Sequence, residues 1–234
     1  MLKYFTSICL LFVFINGFSQ EQKTVKKKIP KDTTSYKTSY GLRLGLDISK
    51  PILSLISDSY SGFEIVGDYR ISKRFFIAAE LGYEEKTTSE DYTNSTSKGS
   101  YTRLGFNFNA YENWLDMNNE ITLGYRYGFS LFDQTLNSYT PNVNGQYFPS
   151  NTITTPQTTN GLNAHWSEFI VGIKVETFKN LFVGISGSYK ILMSVKDPEN
   201  FKSLYSPGFN RIFESNTGFG FNYTVSYLIP FIKK

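Results

Sequence analysis

Residues Tyr40–Ser49, with the sequence YGLRLGLDIS, alternate apolar side chains with small or charged ones. Leucine or isoleucine occupies the even positions from 42 to 48, whereas the odd positions carry glycine, arginine or aspartate. Successive side chains of an extended chain point to opposite faces, so this pattern predicts a β-strand. Its polar face places Arg43 and Asp47 beside two glycines, which suits the crowded interior of a narrow barrel better than the face of a sandwich.

Seven later segments repeat this alternation at a similar length. A tilted strand needs about ten residues to cross the hydrocarbon layer of a membrane. The sequence therefore predicts an all-β protein, an eight-stranded antiparallel up-and-down transmembrane β-barrel in which the first strand pairs with the last. The predicted strands are Tyr40–Ser49, Gly62–Ile71, Phe75–Glu84, Tyr101–Ala110, Glu120–Leu131, His165–Glu176, Leu181–Val195 and Asn216–Phe231.

The connections between these segments alternate in length. The odd-numbered ones are long and the even-numbered ones are short, and they span 50–61, 85–100, 132–164 and 196–215 against 72–74, 111–119 and 177–180. Bacterial outer-membrane barrels have short periplasmic turns and longer outer loops. We therefore expect the cell outer membrane of a Gram-negative organism, with both chain termini in the periplasm. The first long connection contains Pro51 and is apolar enough to pack against another surface.

The composition agrees with a membrane barrel without requiring one. The chain has 234 residues, of which 40% are hydrophobic and 17% aromatic. Half of each strand in such a barrel faces a polar interior, which dilutes the apolar signal. The formal net charge of +4 is mild, and we expect no nucleic-acid partner.

The N-terminus has the features of a secretory signal peptide over residues 1–19. Lys3 supplies the positive region, residues 8–15 form a short apolar run, and Gly17 and Ser19 are the small residues before the cleavage site. Residues 20–39 are rich in lysine and poor in apolar residues, which predicts a disordered basic lead-in. The barrel would then occupy residues 40–231.

Cys9, the only cysteine, lies in the predicted leader. The mature chain would contain no thiol, and with His165 as its only histidine it lacks the usual zinc-ligand sets. The acidic residues Glu85, Glu90 and Asp91 do not have the spacing of a known calcium loop, and no glycine-rich phosphate loop precedes a helix. We expect no metal and no cofactor.

Many charged residues fall on the inward face of the predicted strands. The predicted interior charge network consists of Arg43, Asp47, Glu64, Asp68, Arg70, Glu80, Arg103, Glu120, Arg126, Glu168, Lys174 and Lys190. Glu84 and Glu176 also face inward in this register. Isolated charges in a low-dielectric interior are very costly, whereas a connected network is tolerable. An eight-stranded barrel leaves no open channel, so we interpret the network as a structural plug of salt bridges rather than an ion or proton path.

Ten of the 18 glycines share this inward face. They are Gly41, Gly45, Gly82, Gly105, Gly124, Gly128, Gly172, Gly184, Gly218 and Gly220. Because the interior has room only for its own side chains, glycine on the wall leaves space for bulky neighbours.

Five segments of the chain resemble an uncharacterised family of small outer-membrane barrel proteins of Gram-negative bacteria, known only as a domain of unknown function. The segments are Ser39–Pro51 (SYGLRLGLDISKP), Phe63–Ser72 (FEIVGDYRIS), Gly99–Trp114 (GSYTRLGFNFNAYENW), Ser206–Arg211 (SPGFNR) and Phe221–Phe231 (FNYTVSYLIPF). The resemblance covers nearly all of the mature chain. It implies the fold and the compartment, and it supplies no catalytic residues.

One pair of residues suggests an alternative, a lipid-modifying hydrolase of the outer membrane. His165 and Ser167 would share one face of a strand, and the His-x-Ser pair resembles that of outer-membrane lipid A deacylases, where histidine activates serine. Glu168 stands where that family's motif carries asparagine, and no acid is placed to orient the histidine. We therefore expect no catalytic residues and a protein that is not an enzyme.

Aromatic residues in the two longest connections have two interpretations. They either anchor a surface ligand or a partner protein, or they pack on each other and cap the barrel mouth. The residues are Tyr139, Tyr147, Phe148, Phe201, Tyr205 and Phe209. A soluble barrel that binds an apolar ligand would need an apolar interior, against which the inward charges argue. We predict a monomeric protein with a structural or surface-interaction role, and we expect outer-membrane lipids as its partners.

Overall fold

The computed structural model describes residues 39–112, 117–141, 151–199 and 201–233. The predicted signal peptide and residues 20–38 of the predicted lead-in lie outside the described residues. Ser39, which was assigned to the lead-in, is the first residue of the first strand.

The described chain is all-β with one short helix, α1 (Ser49–Ile56). The eight long strands are β1 (Ser39–Asp47), β2 (Tyr60–Arg70), β3 (Phe75–Glu90), β4 (Thr93–Asn109), β5 (Glu120–Tyr139), β6 (Gln157–Phe178), β7 (Leu181–Val195) and β10 (Thr217–Lys233). Two short strands, β8 (Tyr205–Ser206) and β9 (Asn210–Arg211), form a hairpin between β7 and β10.

The eight long strands form one antiparallel sheet that closes into a ring, a closed barrel in which each strand pairs with its neighbours along the chain. The ring closes between β1 and β10, where Leu44 lies opposite Tyr227. This is the predicted pairing of the first strand with the last. Closure leaves neither strand as an open edge.

Within the described part of the chain, no helix is long and apolar enough to cross a membrane.

The predicted loops 85–100 and 132–164 are wrong over much of their length. β3 continues to Glu90 and β4 begins at Thr93, so only two residues separate them. β5 likewise extends to Tyr139, and β6 starts at Gln157. These strand ends are polar on their outward face and partly polar on the inner one, so the alternation that identifies a half-buried strand is absent there. Threonine still favours strands, and the hydroxyls of Thr87 and Thr96 lie 2.9 Å apart across the hairpin.

The connection 50–61, predicted without regular structure, contains α1. Pro51 lies in the first turn of this helix, where a missing N–H breaks no helical hydrogen bond. The helix ends where Ser57 turns extended and its N–H donates to the carbonyl oxygen of Leu53 at 2.9 Å. We call the end of the ring that carries α1 and the hairpin β8–β9 the long-loop end, and the opposite end the short-turn end.

Side chains alternate between the inside and the outside of the ring along every long strand. The outward face carries a continuous set of exposed apolar residues, which we call the apolar belt. It consists of Leu44, Leu46, Phe63, Ile65, Tyr69, Phe75, Ile77, Leu81, Tyr83, Leu104, Phe106, Ile121, Leu123, Tyr127, Leu131, Phe169, Val171, Ile173, Val175, Val183, Ile185, Tyr189, Ile191, Met193, Phe219, Phe221, Tyr223, Tyr227, Ile229 and Phe231.

The buried apolar residues are few and lie on the inside. Their main cluster consists of Tyr101, Phe132, Leu162, Ala164, Trp166, Leu192 and Phe209. Charged and polar groups fill much of the remaining interior.

Candidate functional site

The interior of the ring holds acidic and basic side chains in equal number. Seven carboxylates are buried there, and seven basic side chains, five of them buried and two partly buried, lie among them. The acids are Asp47, Glu64, Asp68, Glu80, Glu84, Glu120 and Glu168, and the bases are Arg43, Lys50, Arg70, Arg103, Arg126, Lys174 and Lys190. This balance leaves little net charge to be neutralised by solvent.

The lower network lies toward the short-turn end and is built from strand residues only. Arg43 bridges two carboxylates, Asp68 at 2.9 Å and Glu120 at 3.0 Å. Lys174 also binds Asp68, at 2.8 Å, and Arg70 lies 3.7 Å from Glu120. Four strands are thereby joined through charges across the interior, in addition to their backbone pairing.

The central network is organised by Arg103. Its guanidinium contacts Glu64 at 2.5 Å, Glu80 at 2.7 Å and Glu168 at 3.1 Å. The contact with Glu80 is an ion pair without a hydrogen bond. Arg126 binds the other oxygen of Glu80 at 3.1 Å. A planar guanidinium with five donors suits this task, because it contacts several carboxylates in fixed directions.

The Glu84 cluster lies at the long-loop end and joins a strand to two connections. The carboxylate of Glu84 is fully buried and accepts hydrogen bonds from Lys50 at 2.5 Å, Tyr60 at 3.0 Å and Tyr205 at 2.7 Å. It also accepts the backbone N–H of Gly208 at 3.0 Å. Burial and the neighbouring carboxylate raise the pKa of the Tyr205 hydroxyl well above its usual range. Tyr205 therefore remains a hydrogen-bond donor at any physiological pH.

The connection 203–211, which includes β8 and β9, folds into the mouth of the ring and is here called the cap. Phe209 is completely buried and meets the ring of Trp166 edge-on, with the centroids 6.0 Å apart. The hydroxyl of Ser206 lies 2.8 Å from that of Ser130 on β5. The cap therefore closes the long-loop end with apolar and polar contacts.

Gly208 allows the cap to approach this closely. Its φ of +79° favours glycine, and a Cβ at this position would lie 2.6 Å from the ring of Tyr101. The carbonyl oxygen of the same residue accepts a hydrogen bond from the buried Lys190 Nζ at 2.7 Å. A side chain at position 208 would displace the cap from both contacts.

Beneath the central network the interior contains a cavity of about 60 Å³. Asp68, Glu80, Arg126 and Lys174 line it, together with glycine, serine and isoleucine residues of β6 and β7. A cavity of this size with charged groups on its wall accommodates a few water molecules. It lies between the two networks.

All twelve residues of the predicted charge network lie inside the ring, and ten of them take part in ion pairs. The two exceptions bind neutral groups: Lys190 donates to Gly208, and Asp47 accepts from the side chain of Asn222 at 2.6 Å and from the N–H of Tyr223 at 3.1 Å. Sequence reasoning did not place Lys50 or Gly208 in the interior, since both come from connections without strand alternation. It named Tyr205 only as a residue that either anchors a ligand or caps the barrel mouth. The inward glycines partly indicated where bulky interior side chains lie, because Gly82 faces Tyr101 and Gly128 faces Trp166.

His165 and Ser167 share the outward face of β6 but bind different tyrosines. His165 Nδ1 lies 2.7 Å from the hydroxyl of Tyr127, whereas the hydroxyl of Ser167 lies 2.9 Å from that of Tyr125. Ser167 also contacts the sulfur of Met193 at 3.4 Å. Among the hydrogen bonds of the described residues, none joins the histidine to the serine.

The aromatic residues of the long connections lie in two different places. Tyr205 and Phe209 belong to the cap, as described above. Tyr139 and Phe201 instead line an open cleft of about 510 Å³ with Thr93, Leu136 and Gln157. Tyr147 and Phe148 lie outside the described residues.

No group of three or more histidine, cysteine, aspartate or glutamate residues in the described ranges is arranged to hold a metal ion.

Comparison with known proteins identifies a family. A family model described as Domain of unknown function (DUF6048) matches residues 1–234. No curated protein matches the chain. Since the family match covers the whole sequence, the chain belongs to this uncharacterised domain family, DUF6048.

Proposed function

We propose that this protein is a monomeric β-barrel of the outer membrane of Gram-negative bacteria, with a plugged interior and a structural or surface-interaction role. One observation carries the proposal: the ring has its apolar side chains exposed on the outside and its charges buried inside. A water-soluble barrel of this size would have the opposite arrangement, since burial of apolar surface drives its folding. In a bilayer, lipid tails cover the apolar belt.

The height of the apolar belt fits the hydrocarbon layer. Strands rise about 3.3 Å per residue and tilt by about 40° in membrane barrels. The outward run from Phe75 to Tyr83 then covers roughly 20 Å along the membrane normal, and that from Phe219 to Phe231 roughly 30 Å. The average is close to the band of about 25 Å typical of outer-membrane barrels.

The polarity of the strand ends supports an orientation. Beyond the belt, toward the long-loop end, Glu85, Lys98 and Asp133 are outward neighbours on three adjacent strands. Their charges mark the level at which the outward face becomes hydrophilic. The hairpins that extend past this level would protrude from the outer surface of the cell, with the short turns in the periplasm. A signal peptide over residues 1–19 would direct the chain to this pathway.

The plugged interior supports a role other than a pore. The lower network, the central network and the cap follow one another along the barrel axis, and the cavity of about 60 Å³ lies within this stack. A buried ion pair costs much of its Coulomb energy in desolvation, so connected networks of this kind favour specificity and rigidity over conduction.

The protruding hairpins supply the surface for interaction. The cleft lined by Tyr139 and Phe201 is concave, partly apolar and open, which are the usual features of a ligand-binding site. Its partner would be a surface ligand or a protein. No observed contact favours the hydrolase alternative, because Ser167 has Tyr125 and Met193 as its partners and not His165.

Cell fractionation tests the proposal. We expect the protein in the outer-membrane pellet, with faster gel migration when the sample is not boiled, because a closed barrel resists unfolding by detergent. In planar bilayers the purified protein should give no steady ion current. Recovery from the soluble periplasm would refute the membrane assignment, and a stable open conductance would refute the plug. For the alternative, His165→Ala should leave the lipid A acylation pattern unchanged.

A further inference from the structure

Helix α1 has its polar side against the barrel and its apolar side outward. Lys50 points to Glu84, and the hydroxyl of Ser54 accepts the N–H of Gly62 on β2 at 2.9 Å. On the other side, Leu55 and Ile56 are 87% and 78% exposed. A helix that packs on the core of a soluble protein shows the reverse arrangement.

The helix begins where the outward face of β1 ends. The N–H of Ile48 donates to the carbonyl oxygen of Tyr223 on β10 at 2.7 Å, and α1 contacts β10 as well as β2. The next outward residues of β10 toward the long-loop end are Phe221 and Phe219, both strongly exposed. β1 has no strand residues opposite them. The apolar side of α1 therefore lies beside the belt residues of β10, beyond the last residue of β1.

The polar side of the helix needs no water. The ammonium of Lys50, the one charged residue of the helix, has Glu84 as its partner inside the barrel. Ser54 also donates its hydroxyl hydrogen to the carbonyl oxygen of Lys50 at 3.0 Å. An unpaired charge in lipid is the main free-energy cost that normally keeps such a helix out of a membrane boundary. Here Lys50 is paired, so transfer of the helix would not carry that cost.

We infer that α1 is an interfacial membrane helix, whose apolar side chains enter the outer leaflet and complete the belt above β1 and β2. This inference rests on the proposed membrane location. The occupant of the exposed apolar surface is lipid acyl chain, because α1 contacts β10, whose Phe221 and Phe219 belong to the belt, and because the exposed side chains of the helix are aliphatic. Amphipathic helices in this setting lie in the membrane plane with their apolar side about 5–10 Å into the acyl boundary.

Site-directed fluorescence tests the inference in the complete chain. The starting protein carries Cys9→Ser, so that it contains no other cysteine whether or not the leader is removed. Leu55→Cys, Leu104→Cys and Lys98→Cys are each labelled with bimane and reconstituted into phosphatidylcholine vesicles. Half of the vesicles contain lipid brominated along the acyl chains, which quenches only probes that lie in the hydrocarbon layer. Leu104 is the control for the belt and Lys98 the control for the polar extension.

We expect quenching of the Leu55 probe to be at least about half of that at Leu104 and several-fold greater than at Lys98. If Leu104 is quenched and Leu55 resembles Lys98, the helix faces water or another protein, and the inference is overturned while the membrane barrel stands. If Leu104 is not quenched either, the proposed membrane location fails, and the inference with it.

Discussion

The central network and the Glu84 cluster both bury a charge among several partners, but they join different parts of the chain. Arg103 binds three carboxylates that all belong to long strands. Glu84 instead binds groups from α1, from β2 and from the cap. The first arrangement connects the walls of the barrel, and the second holds the connections that close its mouth. We therefore expect damage to the first to lower global stability and damage to the second to open the mouth locally.

The largest effect should follow from Arg103→Leu. The substitution leaves Glu64, Glu80 and Glu168 buried without their common cation, and breaking a buried ion pair in this way costs about 3–5 kcal/mol. The measurement is urea unfolding of the protein refolded in detergent or vesicles. Arg74→Leu is the matched control, since its ion pair with Glu112 is exposed and such pairs contribute about 0–1 kcal/mol. Equal losses for the two variants would show that the central network does not hold the walls.

The second-largest loss of stability should come from a substitution in the apolar belt, on the outer side of the same strands. Leu44 lies in the belt, and arginine at a lipid-facing site near mid-membrane costs about 2–4 kcal/mol. Leu44→Arg should therefore reduce the free energy of unfolding in vesicles by that amount. Ser89→Arg, on an exposed site of the β3–β4 extension, is the control and should change it little. Full tolerance of Leu44→Arg would contradict the belt and the membrane location together.

Glu84→Gln should have a smaller and more local effect. The amide keeps the size of the side chain but loses the charge that binds Lys50, and its nitrogen cannot accept a hydrogen bond. Either Lys50 and Tyr60 or Tyr205 and Gly208 therefore lose their acceptor. A buried group without its partner costs about 1–3 kcal/mol. Hydrogen exchange at Gly208 and neighbouring cap amides should accelerate by roughly ten- to a hundredfold at this cost. Amides of β4 and β5 should retain their protection. Equal acceleration of exchange in those strands would show that Glu84 contributes to global stability and does not act on the cap alone.

The comparison also shows how far the sequence predicts this fold. The strand Leu181–Val195 was predicted with the bounds that the structure has, because apolar residues alternate outward along it and the inner residues from Gly184 to Lys190 are small or polar. The same alternation placed Arg43, Asp68 and Lys174 on one interior surface. Which charges pair could not be derived, since pairing depends on shear and tilt around the ring, and these leave no trace in a single strand. The partners of Glu84 were missed because Tyr205 and Gly208 belong to a connection whose path is fixed only by the space inside the barrel.

The polar extensions of β3 to β6 are a third kind of region, without a belt outside or a charge network inside, and they give the smallest expected effect. Cross-strand side-chain pairs contribute about 0.2–1 kcal/mol each. Thr87→Ala removes the hydroxyl that lies 2.9 Å from that of Thr96, so its loss of stability should fall in this range and should not affect vesicle insertion. Thr135→Ala, which removes the similar pair with Thr158 at 2.9 Å, should behave alike in urea unfolding. If either substitution prevents barrel formation, the extensions direct the pairing of the whole ring and are not simply protrusions from it. Near-neutral results would instead mean that stability resides in the walls, where Arg103 and the belt act.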